Sequence, residues 1–174
     1  MAEFLLELFS EEIPARMQER AGEDLARLLT EKLTAAGLSV PAAQVHTGMR
    51  RLTVVFGDLA ERTEDVREER KGPRVGAPEK ALAGFLRGAG LESVDQCETQ
   101  SDAKGEFYVA VVNKPGRDTR DLLAEIVPSA CNEMPWPKSM RWGQRSERWV
   151  RPLKRIVCLF GGAVAPLEWA GVAA

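Results

Sequence analysis

The stretch Glu3–Gly37, EFLLELFSEEIPARMQERAGEDLARLLTEKLTAAG, changes period in the middle, and that change decides the fold class. Phe4, Leu6 and Leu8 alternate with Glu3 and Glu7, which is the signature of a strand with one buried face. After Pro14 the apolar positions Met17, Ala21, Leu25, Leu28, Leu29, Leu33 and Ala36 recur at helical spacing. Pro14 opens the helix where a missing N–H costs nothing, and Gly37 stops it. A strand feeding directly into a long amphipathic helix calls for a sheet with helices packed on it.

Working outward, Arg51–Leu59 (RLTVVFGDL) reads as a second strand with Leu52, Val54 and Phe56 on one face. Glu61–Arg74 carries five acids and five bases and reads as extended structure ending at Gly72-Pro73. Pro78 starts a short helix whose expected buried stripe is Leu82, Phe85, Leu86 and Ala89, closed by Gly88 or Gly90. Glu106–Asn113 (EFYVAVVN) is a strand, followed by a turn at Lys114-Pro115-Gly116. Asp118–Met134 is helical, with Pro128 either kinking it or starting a second helix. Strands are expected around Trp149–Arg151 and Arg155–Phe160, with Gly161-Gly162 making a tight hairpin into Ala165–Trp169. Strands and helices are interspersed without a βαβ rhythm. The fold class is therefore α+β, a mixed and largely antiparallel sheet packed with helices.

The 174 residues suffice for one compact domain or two small ones, and a hydrophobic fraction of 44% supports a core. Cys97, Cys131 and Cys158 lie far apart and are odd in number, which argues against a disulfide framework and a zinc site. A reducing cytoplasm fits that usage. No apolar run approaches the ~20 residues of a spanning helix. The start lacks the basic region of a signal peptide. The chain stops at GVAA directly after a strand-like segment, which reads as a truncation.

Catalytic constellations do not assemble. His46 is the single histidine, with neither an HExxH context nor a serine elbow near it, and reads as a surface or strand-edge residue. Gly72–Gly76 is too short for a phosphate-binding Walker loop. Glu11-Glu12 reads as a charge effect at the start of the helix after Pro14. No catalytic residue and no metal ligand is assigned.

Charge is where the chain becomes specific. The net formal charge is −2, yet Pro135–Arg155 holds seven cations (Lys138, Arg141, Arg145, Arg148, Arg151, Lys154, Arg155) against Glu147 alone. The same stretch contains Trp136, Trp142 and Trp149, three of the four tryptophans. Arginine and lysine neutralise phosphates, and an indole face stacks on a base or a guanidinium. Buried tryptophans fringed by snorkelling cations are the competing reading. Arg50 and Arg51 before the second strand, and Lys71 and Arg74 around Gly-Pro, are further cations. If they converge with Lys138 and Arg141, they form one phosphate-facing surface. The candidate RNA-binding set is therefore Arg50, Arg51, Lys71, Arg74, Lys138, Arg141, Trp142 and Arg151.

Six strings stand here in one order: FLLELFSEEIPARM (4–17), RKGPRVGAP (70–78), KALAGFLRGAGL (80–91), KGEFYVAVV (104–112), PWPKSMRWG (135–143) and RWVRPL (148–153). Together they resemble the N-terminal region of the β subunit of bacterial glycyl-tRNA synthetase, with SEEIPARM and PKSMRWG the most specific. The resemblance implies a tetrameric cytoplasmic ligase. Its α subunit would bind glycine and ATP with magnesium and form the adenylate, and its β subunit would bind tRNA(Gly). It implies the α subunit and tRNA(Gly) as partners, a second β subunit indirectly, and no membrane. It also implies residues 1–174 as the N-terminal part of a longer chain, inactive alone and without a cofactor of its own, and a B3/B4-like fold. The alternative within the same family is a subunit-contact scaffold with no RNA contact, in which Arg141 and Arg151 pair with acids. Editing of mischarged tRNA would need a hydrolytic site that the residues do not supply.

Overall fold

The computed structural model describes residues 1–102 and 105–174. Lys104, the first residue of KGEFYVAVV, lies outside the described residues. The chain forms two units. One comprises Met1–Glu64 and Arg117–Ala174, and the other is the insertion Asp65–Gly116.

The first unit is built on β1 (Ala2–Ser10), α1 (Ala15–Ala35), β2 (Ala43–Thr47) and β3 (Arg51–Leu59). The insertion supplies β4 (Val66–Arg74), α2 (Glu79–Ala89), β5 (Glu98–Asp102) and β6 (Gly105–Lys114). The first unit resumes with α3 (Thr119–Glu133), β7 (Leu153–Phe160), β8 (Ala163–Val164), β9 (Glu168–Trp169) and β10 (Val172–Ala173). Its main sheet runs β2-β3-β1-β7-β8, with every neighbour antiparallel. The α+β expectation holds.

The period-two reading of β1 is realised side chain by side chain. Phe4, Leu6 and Leu8 are buried, as are Leu52, Val54 and Phe56 on β3. They meet Leu25, Leu29 and Leu33 of α1 and Leu123, Val127 and Ala130 of α3 in one core. Phe4 and Phe56 stack with ring centroids 5.9 Å apart. The two helices are joined at their surface by Lys32 Nζ–Glu133 Oε1 at 2.6 Å. α3 is one helix with Pro128 inside it, so no second helix begins there. On the opposite face of the sheet Leu5, Glu7 and Phe9 of β1 stay half-buried, outside that core.

Three expectations about the first unit need correction. Trp149–Arg151 is not a strand. Trp149 makes only an isolated antiparallel bridge with Met140, because Pro152 cannot donate to a continuing ladder. The hairpin after Phe160 leads only into Ala163–Val164, and Trp169 pairs instead with Val172 in a separate two-stranded ribbon. Pro166 interrupts the pairing between them. The hairpin turn itself is as read: Gly161 and Gly162 have φ of 59° and 76°, the double positive φ that a two-residue turn requires. Third, Glu11 and Glu12 do not serve the start of α1, whose first turn holds no acid.

The insertion is a three-stranded antiparallel sheet, β4-β6-β5, with α2 packed on β4 and β6. β4 runs through Gly72-Pro73 to Arg74, with an irregularity between Lys71 and Arg74. The ring of Phe85 lies so close over Gly72 that any β-carbon there would meet it at 2.5 Å. α2 ends on Gly90 in the left-handed conformation. Of its expected stripe only Ala89 is buried, and Leu82, Phe85 and Leu86 are not fully enclosed.

Glu68 ties β4 to β6. It accepts from Lys114 Nζ at 2.7 Å and from Arg70 Nε at 2.9 Å. Those bonds, Lys114 first, pull its carboxyl down to about 2. A depressed carboxyl stabilises the fold above its unfolded value, and that contribution is lost as pH falls toward about 2. Acid titration followed by the chemical shifts of β4 and β6 should show loosening over that window. Glu68→Gln should flatten the response.

Candidate nucleic-acid interface

Two of the cationic segments meet around Ser10–Pro14. The chain leaving β1 is clamped by main-chain hydrogen bonds on both sides. Ser10 N–H donates to the Arg50 carbonyl at 2.8 Å and Ile13 N–H to the Met49 carbonyl at 2.6 Å. Glu11 N–H donates to the Pro152 carbonyl at 3.0 Å. The β2–β3 hairpin turn, which carries Arg50 and Arg51, and the segment that carries Arg151 are thereby fixed at one end of the sheet. A cleft there is lined by Glu12, Ile13, Pro14, Gln18, Met49 and Arg151.

The acids of SEEIP are the charge partners of this end. Glu12 Oε1 lies 3.4 Å from Arg50 Nη2, and Glu11 Oε1 lies 3.0 Å from Lys154 Nζ. The hydrogen bond from Lys154 holds the Glu11 carboxyl below its ordinary value. Arg51 sits 3.8 Å from Glu7 and over the ring of Phe9. Arg151 is half-buried and donates to the Val150 carbonyl at 2.8 Å. Arg50, Arg51 and Arg151 are thus brought together, with acids interleaved among them. Such exposed pairs contribute little to stability, and a polyanion can compete for their cations.

Lys138, Arg141 and Trp142 lie on a second feature, the loop that follows α3. Met140 and Trp149 exchange both main-chain hydrogen bonds, at 2.8 and 3.1 Å, pinching the chain into a closed loop over 141–148. Arg148 locks its base by donating to the Ser139 hydroxyl and carbonyl, each at 3.0 Å. Beneath it, Trp149 is sandwiched edge-on between Trp136 and Trp169 with centroids 4.8 and 5.2 Å away. Trp169 Nε1 donates to Asn132 of α3 at 2.9 Å, anchoring the cluster to the helix. Trp149 and Trp169 are buried, while Trp136 and Trp142 are half-buried. The tryptophans therefore divide between core and surface.

Lys138 and Arg141 are exposed and have no ion-pair or hydrogen-bond partner among the described residues. Arg16, on the first turn of α1, is likewise exposed and unpaired among them. It lines a cleft with Arg20, Met17, Pro135, Trp136 and Pro137, and so stands beside the segment leading into Lys138. Sequence reasoning passed over Arg16, although it stands inside SEEIPARM.

Lys71 and Arg74 belong to the insertion. Lys71 Nζ lies 3.9 Å from the centroid of Phe107 and 3.0 Å from Asp102 Oδ2. Arg74 is exposed at the end of β4, opposite Phe107. His46 is exposed on the edge strand β2. Burial pushes the Cys158 thiol up to about 12 and raises Cys131 as well, so neither is a nucleophile near neutrality. Among the described residues no His, Cys, Asp or Glu group has the arrangement to hold a metal ion. No helix among them is long and apolar enough to cross a membrane.

Similarity to known proteins decides the family. A family model described as glycyl-tRNA synthetase beta subunit matches residues 4–174. The chain belongs to that family. Among curated relatives it is 57% identical over 166 residues to the glycine–tRNA ligase beta subunit of Rhodospirillum centenum, covering 95% of this chain and 23% of the relative. It is 53% identical to the corresponding protein of a Ruegeria species, covering 99% and 26% of the two chains. With that of Dinoroseobacter shibae it shares 49% identity over its whole length and 25% of the relative's. The chain thus spans about a quarter of the length of these family members.

Proposed function

We propose that this region binds tRNA on behalf of a glycine–tRNA ligase β subunit, supporting the ATP-dependent attachment of glycine while the adenylate chemistry belongs to the α subunit. Family membership supports the ligase role. One observation carries the RNA contact. Lys138 and Arg141 are exposed and, among the described residues, unpaired, on a loop held rigid by the Met140–Trp149 pair and the Arg148–Ser139 bonds. Cations without internal partners, on a loop already ordered, lose little entropy on meeting phosphate. Arg16 adds to the same neighbourhood, and Arg50 and Arg51, whose acid partners are exchangeable, form a second cationic end with Arg151. Lys71 and Arg74 would contribute from the insertion. Trp142, half-buried, offers a stacking edge. The tRNA and the α subunit are the partners this reading implies, in the cytoplasm.

The scaffold reading draws on Trp149 and Trp169, which are core. It calls for Arg141 and Arg151 to pair with acids, and neither has an acidic partner among the described residues. The test is a gel-shift titration of tRNA against salt. Lys138→Ala with Arg141→Ala should weaken binding about tenfold and reduce the log–log salt slope by roughly 0.7–0.9 for each phosphate that is no longer neutralised. An unchanged affinity and slope would return the loop to a scaffold role.

A further inference from the structure

The open face of the main sheet carries a second feature, separate from the loop that presents Lys138 and Arg141. In the β3-β1-β7 register Arg51 and Arg155 both stand opposite Phe9, so one row across three adjacent strands reads Arg51–Phe9–Arg155. Phe9 is on β1, the central strand of five, and faces away from the core side of Phe4, Leu6 and Leu8. Its ring is half-buried, with the guanidinium carbons 5.3 and 5.9 Å from its centroid. Arg155 is exposed and has no acidic partner among the described residues. The next row along the strands is mostly polar. His46, Thr53 and Glu7 stand in register there, with Val157 beyond them, and Thr53 Oγ1 donates to Glu7 Oε2 at 3.4 Å.

We infer that the Arg51–Phe9–Arg155 row is a platform for an unpaired nucleotide of RNA, stacked on Phe9, with its phosphates taken by Arg51 and Arg155. The two guanidinium groups rest over the Phe9 ring, and by swinging out to the phosphates they would free its π-face, on the central strand of an open antiparallel sheet, for a splayed base. A duplex cannot use such a ring, because its bases are already stacked. Thr53 and Glu7 offer a hydroxyl and a carboxylate to a base edge or a ribose 2′-hydroxyl. The platform is also continuous with the cationic end already described, since Ser10, the next residue, is bonded to Arg50. Beyond the polar row the face becomes aliphatic, with Val55, Leu5, Leu159 and Val164 in register. That part suits a protein surface better than RNA, and it supplies the rival outcome.

The inference rests on the proposed RNA role, so the experiment separates the two. Fluorescence anisotropy would follow the full chain binding a short single-stranded oligoribonucleotide, the same sequence as duplex, and tRNA. Phe9→Ala should reduce affinity for the single strand about tenfold, within the range for removing one base–aromatic stack, and leave the duplex unchanged. Phe9→Tyr should restore it. Arg155→Gln, at an exposed position, should lower the single-strand salt slope by about 0.7 without altering the melting temperature. Wild-type binding to none of the probes would overturn both readings. Tight tRNA binding with Phe9→Ala and Arg155→Gln unchanged on the single strand would overturn the platform alone. Equal losses on single strand and duplex would overturn it too, because Phe9 would then only order its neighbours. A change in self-association by light scattering, with RNA affinity intact, would assign the face to protein contact instead.

Discussion

Trp149→Ala should lower the stability of the first unit by about 3–5 kcal/mol, the range for truncating a large buried aromatic residue. Trp149 is 1% exposed and is the central member of the three-tryptophan cluster. Two edge-to-face contacts, each worth roughly 0.5–1.5 kcal/mol beyond area burial, disappear together. A domain of this size holds only about 5–15 kcal/mol in total, so the loss is a large share of it. Urea denaturation read by far-ultraviolet circular dichroism measures the shift in midpoint. Trp149→Phe is the informative control. The indole Nε1 has no acceptor among the described residues, so phenylalanine removes a buried donor that gains nothing from burial. The ring contacts are largely kept, and the cost should stay below about 1.5 kcal/mol. If alanine and phenylalanine cost the same, the cluster is not what holds this region.

The same substitution separates scaffold from contact. The loop base depends on main-chain bonds between Met140 and Trp149, which side-chain truncation leaves in place. Under conditions where Trp149→Ala remains folded, the salt slope of tRNA binding should therefore match wild type, because Lys138 and Arg141 are still presented.

How much of this was legible in the sequence follows from where each partner lies along the chain. β1, β3, β6 and α1 announce themselves because their buried positions repeat within a few residues. β2 (AQVHT) and β5 (ETQSD) do not. β2 is an edge strand whose residues are at most half-buried, and β5 is exposed throughout, so neither needs an apolar alternation. The candidate site was legible in composition but not in pairing. Glu12 meets Arg50 and Glu11 meets Lys154 only because the chain leaving β1 is clamped between two distant segments, and no local pattern encodes that clamp. Reading Glu11-Glu12 as helix-start charges used the nearest neighbour in sequence, whereas the fold supplied nearer ones in space. The Phe9 row was hidden for the same reason. Arg51, Phe9 and Arg155 come from three strands far apart in the sequence, and only the antiparallel register aligns them.

Gly22→Ala gives the sharpest test of how α1 holds the hairpin that carries Arg50 and Arg51. By helix propensity alone, alanine should stabilise α1 by about 1 kcal/mol. Space opposes it. A β-carbon at Gly22 would lie 2.5 Å from Thr47 Cγ2 and 2.6 Å from Val45 Cγ1. Both contacts are methyls of β-branched residues with restricted rotamers, on a strand held in register by β3, so neither can swing aside cheaply. Overpacking of this kind costs typically about 1–3 kcal/mol, which outweighs the propensity gain, and the net expectation is a loss of about 1–2 kcal/mol. Gly22→Val should cost more, since it adds two methyls to the same clash and lowers helix propensity relative to alanine. The decisive arm is the rescue. With Thr47→Ser and Val45→Ala in the background, the obstructing methyls are gone, and Gly22→Ala should become neutral or stabilising. A double-mutant cycle on the denaturation midpoints reads the coupling directly. Additive effects would mean that β2 moves freely over α1, and the hairpin would then owe its position to the Ser10–Ile13 clamp alone.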